Sequence, residues 1–286
     1  MKLDGIYVPL VTPFDGAGKI DQAKLETLVE AMIDKGVAGL AACGTTGEYY
    51  ALDDAERTQV LETVHRSAAG RIELIAGIGD MCTYRSVARA AEAKAIGYDA
   101  LLLSPPPYSL PRQSGIRAHF EFVADRSELP IILYNFPART GVNIEFETVA
   151  ALAKHPNIIG IKESSGDFSR ALHMLQAGFA DFEVICGCDD QPADFFFWGA
   201  KSWIAGAGNV FPGEQVALHA AAMAGDWDRV RELMRRMYPA LHSMESGDYN
   251  QKAKAGCLNG TLDVGDVRLP LTPLDAAGKQ AFRELL

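Results

Sequence analysis

Eight short apolar runs recur along the chain, separated by amphipathic stretches, and this rhythm limits the fold more than any other feature. The runs are 5–12, 39–42, 73–77, 100–104, 130–135, 158–162, 182–186 and 202–205. Helical periodicity falls near 22–35, 53–68, 84–96, 115–126, 146–154, 170–178 and 191–198, and again after Pro212. Apolar runs alternating with helical patterns make a parallel sheet with crossover helices. Eight such units predict a closed (β/α)8 TIM barrel of the α/β class. An open doubly wound sheet is the alternative, but no G-x-G-x-x-G follows the first run. Asp53 with Glu56 forms a capping-box start. Gly36, Gly70, Gly97 and Gly225 stand where helices should end. Residues 226–286 exceed what a barrel needs and begin with a strong helical pattern at 226–238. The expected organisation is a catalytic barrel over 1–225 and a helical C-terminal extension over 226–286.

Bulk properties narrow the function. A net charge of −10 with no basic cluster argues against a nucleic-acid partner. The start of the chain lacks a charged-then-apolar signal pattern, and no apolar run approaches the roughly 20 residues of a membrane helix, so no membrane partner is expected. Five cysteines in a long chain do not form a disulfide framework, which favours a cytoplasmic setting. Cys186-Gly187-Cys188 has no second ligand pair, and the six histidines lack metal spacing, so no metal site is expected.

The chemistry should gather at the C-terminal ends of the strands. The sixth run ends on Lys162, followed by Glu163-Ser164-Ser165-Gly166-Asp167. A buried ammonium is penalised by desolvation, and the neutral amine left when it sheds its proton attacks carbonyls. Lys162 is therefore a candidate for imine chemistry on a 2-oxo acid, against the bland alternative of a strand-end lysine that snorkels to water. The second run is followed by Gly44-Thr45-Thr46-Gly47-Glu48, either a plain turn or a loop whose N–H groups and hydroxyls hold a carboxylate. Tyr134 ends the fifth run and is either a packed aromatic or a proton shuttle one strand from Lys162. Arg139 is either a surface cation or a bidentate partner for a second carboxylate. Tyr108 follows three prolines and could simply cover a loop. Glu48, acidic beside a proposed anion loop, is expected to be structural.

Four motifs in order, Val8-Pro9-Leu10-Val11-Thr12-Pro13, Gly44-Thr45-Thr46-Gly47-Glu48, Tyr134-Asn135-x-Pro137 and Gly160-Ile161-Lys162-Glu163-Ser164-Ser165-Gly166-Asp167, make nearly the whole chain resemble the dihydrodipicolinate synthase/N-acetylneuraminate lyase family of Schiff-base lyases. The resemblance implies a lyase without cofactor, working through a covalent imine on Lys162. Catalysis would fall to Lys162, Tyr134, Thr46 and Tyr108. Thr45, Thr46, Arg139, Gly187 and Ile204 would bind substrate, with Gly187 and Ile204 lining the pyruvate pocket. Tyr108 would complete a neighbouring subunit's relay, so the expected assembly is a homotetramer, a dimer of dimers. The partners would be a 2-oxo acid and an aldehyde.

Arg139 and Thr45-Thr46 lean toward the synthase branch. Two departures lean away from it. Tyr249-Asn250-Gln251-Lys252-Ala253-Lys254 replaces the Asn-Pro-x-Pro-x-Lys usual in the biosynthetic members. Tyr49, Tyr50 and Arg85 replace the residues that bind feedback lysine, so inhibition by lysine is expected to be absent. The alternatives that share the imine step are a 2-keto-3-deoxy sugar-acid aldolase or dehydratase, an N-acetylneuraminate lyase and a pyrroline-4-hydroxy-2-carboxylate deaminase. From other classes come a non-catalytic 2-oxo-acid sensor and a phosphosugar aldolase using Gly206-Ala207-Gly208-Asn209.

Overall fold

Strands β1 (Gly5–Pro9), β2 (Gly39–Ala42), β3 (Glu73–Gly77), β4 (Ala100–Leu103), β5 (Ile131–Asn135), β6 (Ile158–Glu163), β7 (Glu183–Cys186) and β8 (Ser202–Ile204) form a closed barrel in chain order. The structure, a computed structural model, describes all 286 residues. β1 pairs parallel with β2, and β3 to β8 pair parallel in succession, as crossover helices require. The crossovers are α1 (Gln22–Asp34), α2 (Asp54–Ala68), α3 (Thr83–Ile96), α4 (Gln113–Ala124), α5 (Pro137–Thr140), α6 (Phe146–Leu152), α7 (Phe168–Ala177) and α8 (Pro192–Phe197). After β8 come α9 (Pro212–Met223), α10 (Trp227–Glu245), α11 (Tyr249–Ala255), the single turn α12 (Cys257–Gly260) and α13 (Ala276–Arg283). The expected TIM barrel with added C-terminal helices is what the chain forms.

The residues gather into two units, one of 1–4 and 74–204 with β3–β8, the other of 5–73 and 205–286. In the first, the strands are mostly apolar and most of their side chains are buried, as in parallel sheets covered on both faces, with Asn135, Lys162 and Glu163 as buried polar exceptions at the strand ends. In the second, β1 and β2 pair from Tyr7↔Gly39 to Pro9↔Ala41. Gly39 has no room for a side chain, since a Cβ would lie 2.6 Å from the Glu73 carbonyl and 2.7 Å from the Tyr7 ring.

The local punctuation behaves as expected. Asp53 and Glu56 complete a reciprocal capping box at α2. Gly36, Gly70, Gly97 and Gly225 all take positive φ. Two boundaries differ for physical reasons. The first run was expected to stay in the ladder to Thr12, yet β1 stops at Pro9, because the Asn209 side chain takes over. Its Oδ1 accepts from Val11 N (3.0 Å) and its Nδ2 donates to the Pro9 carbonyl (2.9 Å). The helix expected to end at Tyr238 runs through Pro239 to Glu245. An interior proline costs about 3 kcal/mol, and the burial of Met237, Ala240, Leu241 and Met244 offsets it.

One buried group gives a pH dependence to test. His119 on α4 is buried, and its Nδ1 lies 2.9 Å from Thr83 Oγ1. Burial pushes its pKa down from 6.5 to about 4. A depressed pKa means that the unfolded chain binds the proton more readily, so stability is fully present above the unfolded value and is lost as pH falls toward 4. Between about pH 7 and about pH 5 this group alone should remove about 2 kcal/mol. Urea unfolding at the two pH values measures the loss, and a His119→Gln variant should lack most of it. Equal pH dependence in both proteins would contradict the assignment.

Candidate active site

The β5–β6 register sets Tyr134 opposite Lys162 and Asn135 opposite Glu163. Partners on parallel strands share a face, and successive residues alternate. Tyr134 and Lys162 therefore face one side of the sheet together, and Asn135 and Glu163 face the other. Lys162 is 5% exposed, and its Nζ sits 4.5 Å from the centroid of the Tyr134 ring. The amine does not snorkel to bulk water. The amine lies over the ring, so a nucleophile and a phenol stand side by side on one face of the sheet.

β7 supplies the neighbouring wall. Gly187 is glycine because a Cβ there would meet Ser164 Oγ and the Glu163 carbonyl oxygen, the latter at 2.6 Å. Ser164 Oγ donates to the Gly187 carbonyl at 3.0 Å, which ties the residues just beyond Lys162 to the end of β7. Burial pushes the Cys186 thiol well above its ordinary value, so it stays protonated near Lys162 and does not compete as a nucleophile. Ile204, at the end of β8, is fully buried.

Arg139 lies on α5 and is exposed, with its guanidinium 5.8 Å from the Phe136 ring centroid. Gly141 ends that turn at φ 75°. Tyr108 is 91% exposed at φ 72°, a left-handed conformation unusual for a tyrosine. In this unit the structure brings Lys162 and Tyr134 together and leaves Tyr108 turned to the outside.

Thr45 and Thr46 belong to the other unit, in the loop that follows β2. Thr46 is buried and Thr45 half-buried. The loop is tightly held. The Gly47 carbonyl accepts from Thr12 Oγ1 at 2.7 Å, and a Cβ on Gly47 would lie 2.9 Å from the Leu10 carbonyl. Glu48, at φ 56°, is fully buried and meets Lys254 Nζ at 2.7 Å, while its other oxygen accepts from Arg268 N at 2.8 Å. Asn250 donates its amide to the Thr45 carbonyl at 3.1 Å. Lys254 also donates to the Asp266 carbonyl and lies over the Phe14 ring. Arg268 makes two short hydrogen bonds to Glu56 and holds that carboxyl below its usual range. Glu48 is thus structural, as expected. Asn250, Lys254 and Arg268 hold the loop from the far end of the chain, a role the sequence does not signal. Asn250 and Lys254 stand in the sequence only as members of an altered motif.

Asn209 is also accounted for. It is fully buried and spends its amide on Pro9, Val11 and the Gly206 carbonyl. That leaves the Gly206–Asn209 turn without the side-chain donor a phosphosugar site would draw on.

The chain as a whole resembles proteins of one family. The model of the dihydrodipicolinate synthetase family matches residues 2–286. Relatives named 4-hydroxy-tetrahydrodipicolinate synthase include one from Exiguobacterium sibiricum, 39% identical over 99% of this chain and 96% of its own length. Another, from Pseudomonas aeruginosa, is 39% identical over 99% and 97%. Among solved structures, a dihydrodipicolinate synthase from Bacillus anthracis superposes with a TM-score of 0.95 at 32% identity, covering 100% and 98% of the two chains. One from Acinetobacter baumannii complexed with pyruvate gives 0.94 at 35% identity, covering 99% and 98%. Matched along almost its whole length, this chain is a lyase that belongs to the dihydrodipicolinate synthetase family.

Proposed function

We propose that the chain is a 4-hydroxy-tetrahydrodipicolinate synthase that joins pyruvate to aspartate semialdehyde through an imine on Lys162. The observation that carries this is the buried Lys162 amine 4.5 Å from the Tyr134 ring, on adjacent strands in register. The Lys162 nitrogen attacks the pyruvate carbonyl carbon to give a carbinolamine. The hydroxyl leaves as water with a proton handed on by Tyr134, and an iminium remains. Loss of a methyl proton gives an enamine, whose carbon attacks the aldehyde. The iminium is the electron sink, so no metal or added cofactor is required.

Thr45 and Thr46 hold the pyruvate carboxylate in this proposal, and Thr46 links Tyr134 to Tyr108 of a second copy. Gly187 and Ile204 line the pyruvate pocket. Arg139 grips the carboxylate of the aldehyde substrate, a task its planar fork suits. The outward-turned Tyr108 supports exchange between subunits and hence a homotetramer built as a dimer of dimers. No helix is long and apolar enough to cross a membrane, and we place the enzyme in the cytoplasm. The chain divides functionally into a barrel over 1–225 and an extension over 226–286.

The test is consumption of pyruvate with aspartate semialdehyde by the purified protein. Turnover with the semialdehyde supports the proposal. Release of pyruvate from a 2-keto-3-deoxy acid, without consumption alongside the semialdehyde, would assign a catabolic paralogue instead. Millimolar lysine should leave the rate unchanged. Arg85 pairs with Asp80 at 3.2 Å, and in this proposal it stands as a cation where the resemblance calls for an anion to hold a lysine effector. A lysine-dependent fall in rate would contradict that expectation.

A further inference from the structure

Glu163 follows Lys162 directly, and its carboxylate is buried. Alternation turns it to the face opposite the reacting amine, and its oxygens are already engaged there. Asn135 Nδ2 donates to both, at 3.1 and 2.9 Å. Ser165 N donates to Oε1 at 2.7 Å, and Arg170 Nε donates to Oε2 at 3.0 Å. A carboxylate so saturated has no role as an acid or base toward Lys162.

The same cluster closes a loop. Asn135 stands at the end of β5, where the loop carrying Arg139 begins. Asn135 Nδ2 also donates to Asn143 Oδ1 at 3.2 Å, and Asn135 Oδ1 accepts from Ile144 N at 3.0 Å. Arg170, held by Glu163, donates through Nη2 to the Ile144 carbonyl. The entry and exit of 136–144 are thus tied to one ion pair between the buried Glu163 and the half-buried Arg170.

We propose that Glu163 is a positioning residue which, through Asn135 and Arg170, fixes the 136–144 loop and so sets where Arg139 meets the carboxylate of the second substrate. Resting on the assignment of Arg139 to that carboxylate, it predicts a division of labour across β6. Lys162 on one face makes the imine, and Glu163 on the other holds the loop that chooses the aldehyde.

The test uses two variants of the full chain. Glu163→Gln keeps the shape and removes the charge that Arg170 answers. Asn143→Ala removes a single link at a half-buried position. With Glu163→Gln the KM for aspartate semialdehyde should rise about 10- to 100-fold. With Asn143→Ala it should rise about 2- to 10-fold, the value of one hydrogen bond. The KM for pyruvate and the yield of borohydride-trapped pyruvate should stay close to wild type. Amide hydrogen exchange should quicken across 136–144 and not across 44–48. An unchanged KM for the semialdehyde, or an equal rise for both substrates, would overturn the proposal. If Glu163→Gln does not fold, Asn143→Ala decides alone. If the wild type traps pyruvate but does not consume it with the semialdehyde, the substrate assignment has failed, and loop exchange in the variants still judges the clamp.

Discussion

Lys162→Met is expected to lower turnover by a factor on the order of 10⁴ or more while leaving the fold intact. Methionine keeps the length and apolar bulk of the lysine stem and removes only the amine. No other nucleophile stands ready, since the nearby Cys186 is held as a thiol by burial. Stability should hold or rise, because a buried polar amine is replaced by an apolar group of similar length. Tyr134→Phe is the companion. It keeps the ring beside position 162 but loses the hydroxyl, and about 10²–10⁴-fold of rate should go with it. Steady-state kinetics with matched urea unfolding separates chemistry from folding. Lys162→Met retaining more than about a hundredth of the wild-type rate would mean that the imine is not the route.

Lys254→Met should produce the largest loss of stability, about 3–5 kcal/mol. Lys254 and Glu48 are both buried, with side chains 2% and 0% exposed and 2.7 Å apart. Burial pulls the Lys254 ammonium below its ordinary pKa, and attraction to Glu48 works against that pull. Removing the lysine leaves the Glu48 carboxylate buried with only the Arg268 N–H as a hydrogen-bonding partner. A lone buried charge costs far more than the pair contributes. The double change Lys254→Met with Glu48→Gln should recover most of the loss, because no charge is then stranded. Glu48 closes the loop of Thr45 and Thr46, so the single variant should also raise the KM for pyruvate. Denaturant midpoints for wild type, single and double variants give the coupling directly. A single-variant loss below about 1 kcal/mol, or no recovery in the double, would show that the pair does not hold the loop.

The two variants probe parts of the molecule that were unequally legible. The strands were readable because parallel strands buried on both faces give unbroken apolar runs, and Lys162 interrupts one of them. Tyr134 beside Lys162 followed from chain order in a barrel, since consecutive strands are neighbours. The facing of Glu163 was within reach too, because strand alternation alone turns it away from the Lys162 side. What stayed hidden came from far along the chain. Asn250, Lys254 and Arg268 reach the loop after β2 across about two hundred residues of sequence, and no local pattern encodes such a pairing. Pro239, inside α10, shows a related effect. Local propensity says stop, while the buried side chains around it, visible only in the fold, carry the helix on.

Pyruvate with borohydride, followed by intact mass and peptide mapping, reaches the central claim most directly. The protein should gain the mass of pyruvate less water plus two hydrogens, on a single peptide, at Lys162. Lys162→Met should gain nothing under the same treatment. An unmodified wild-type protein, or a modification at any other lysine, would contradict the account.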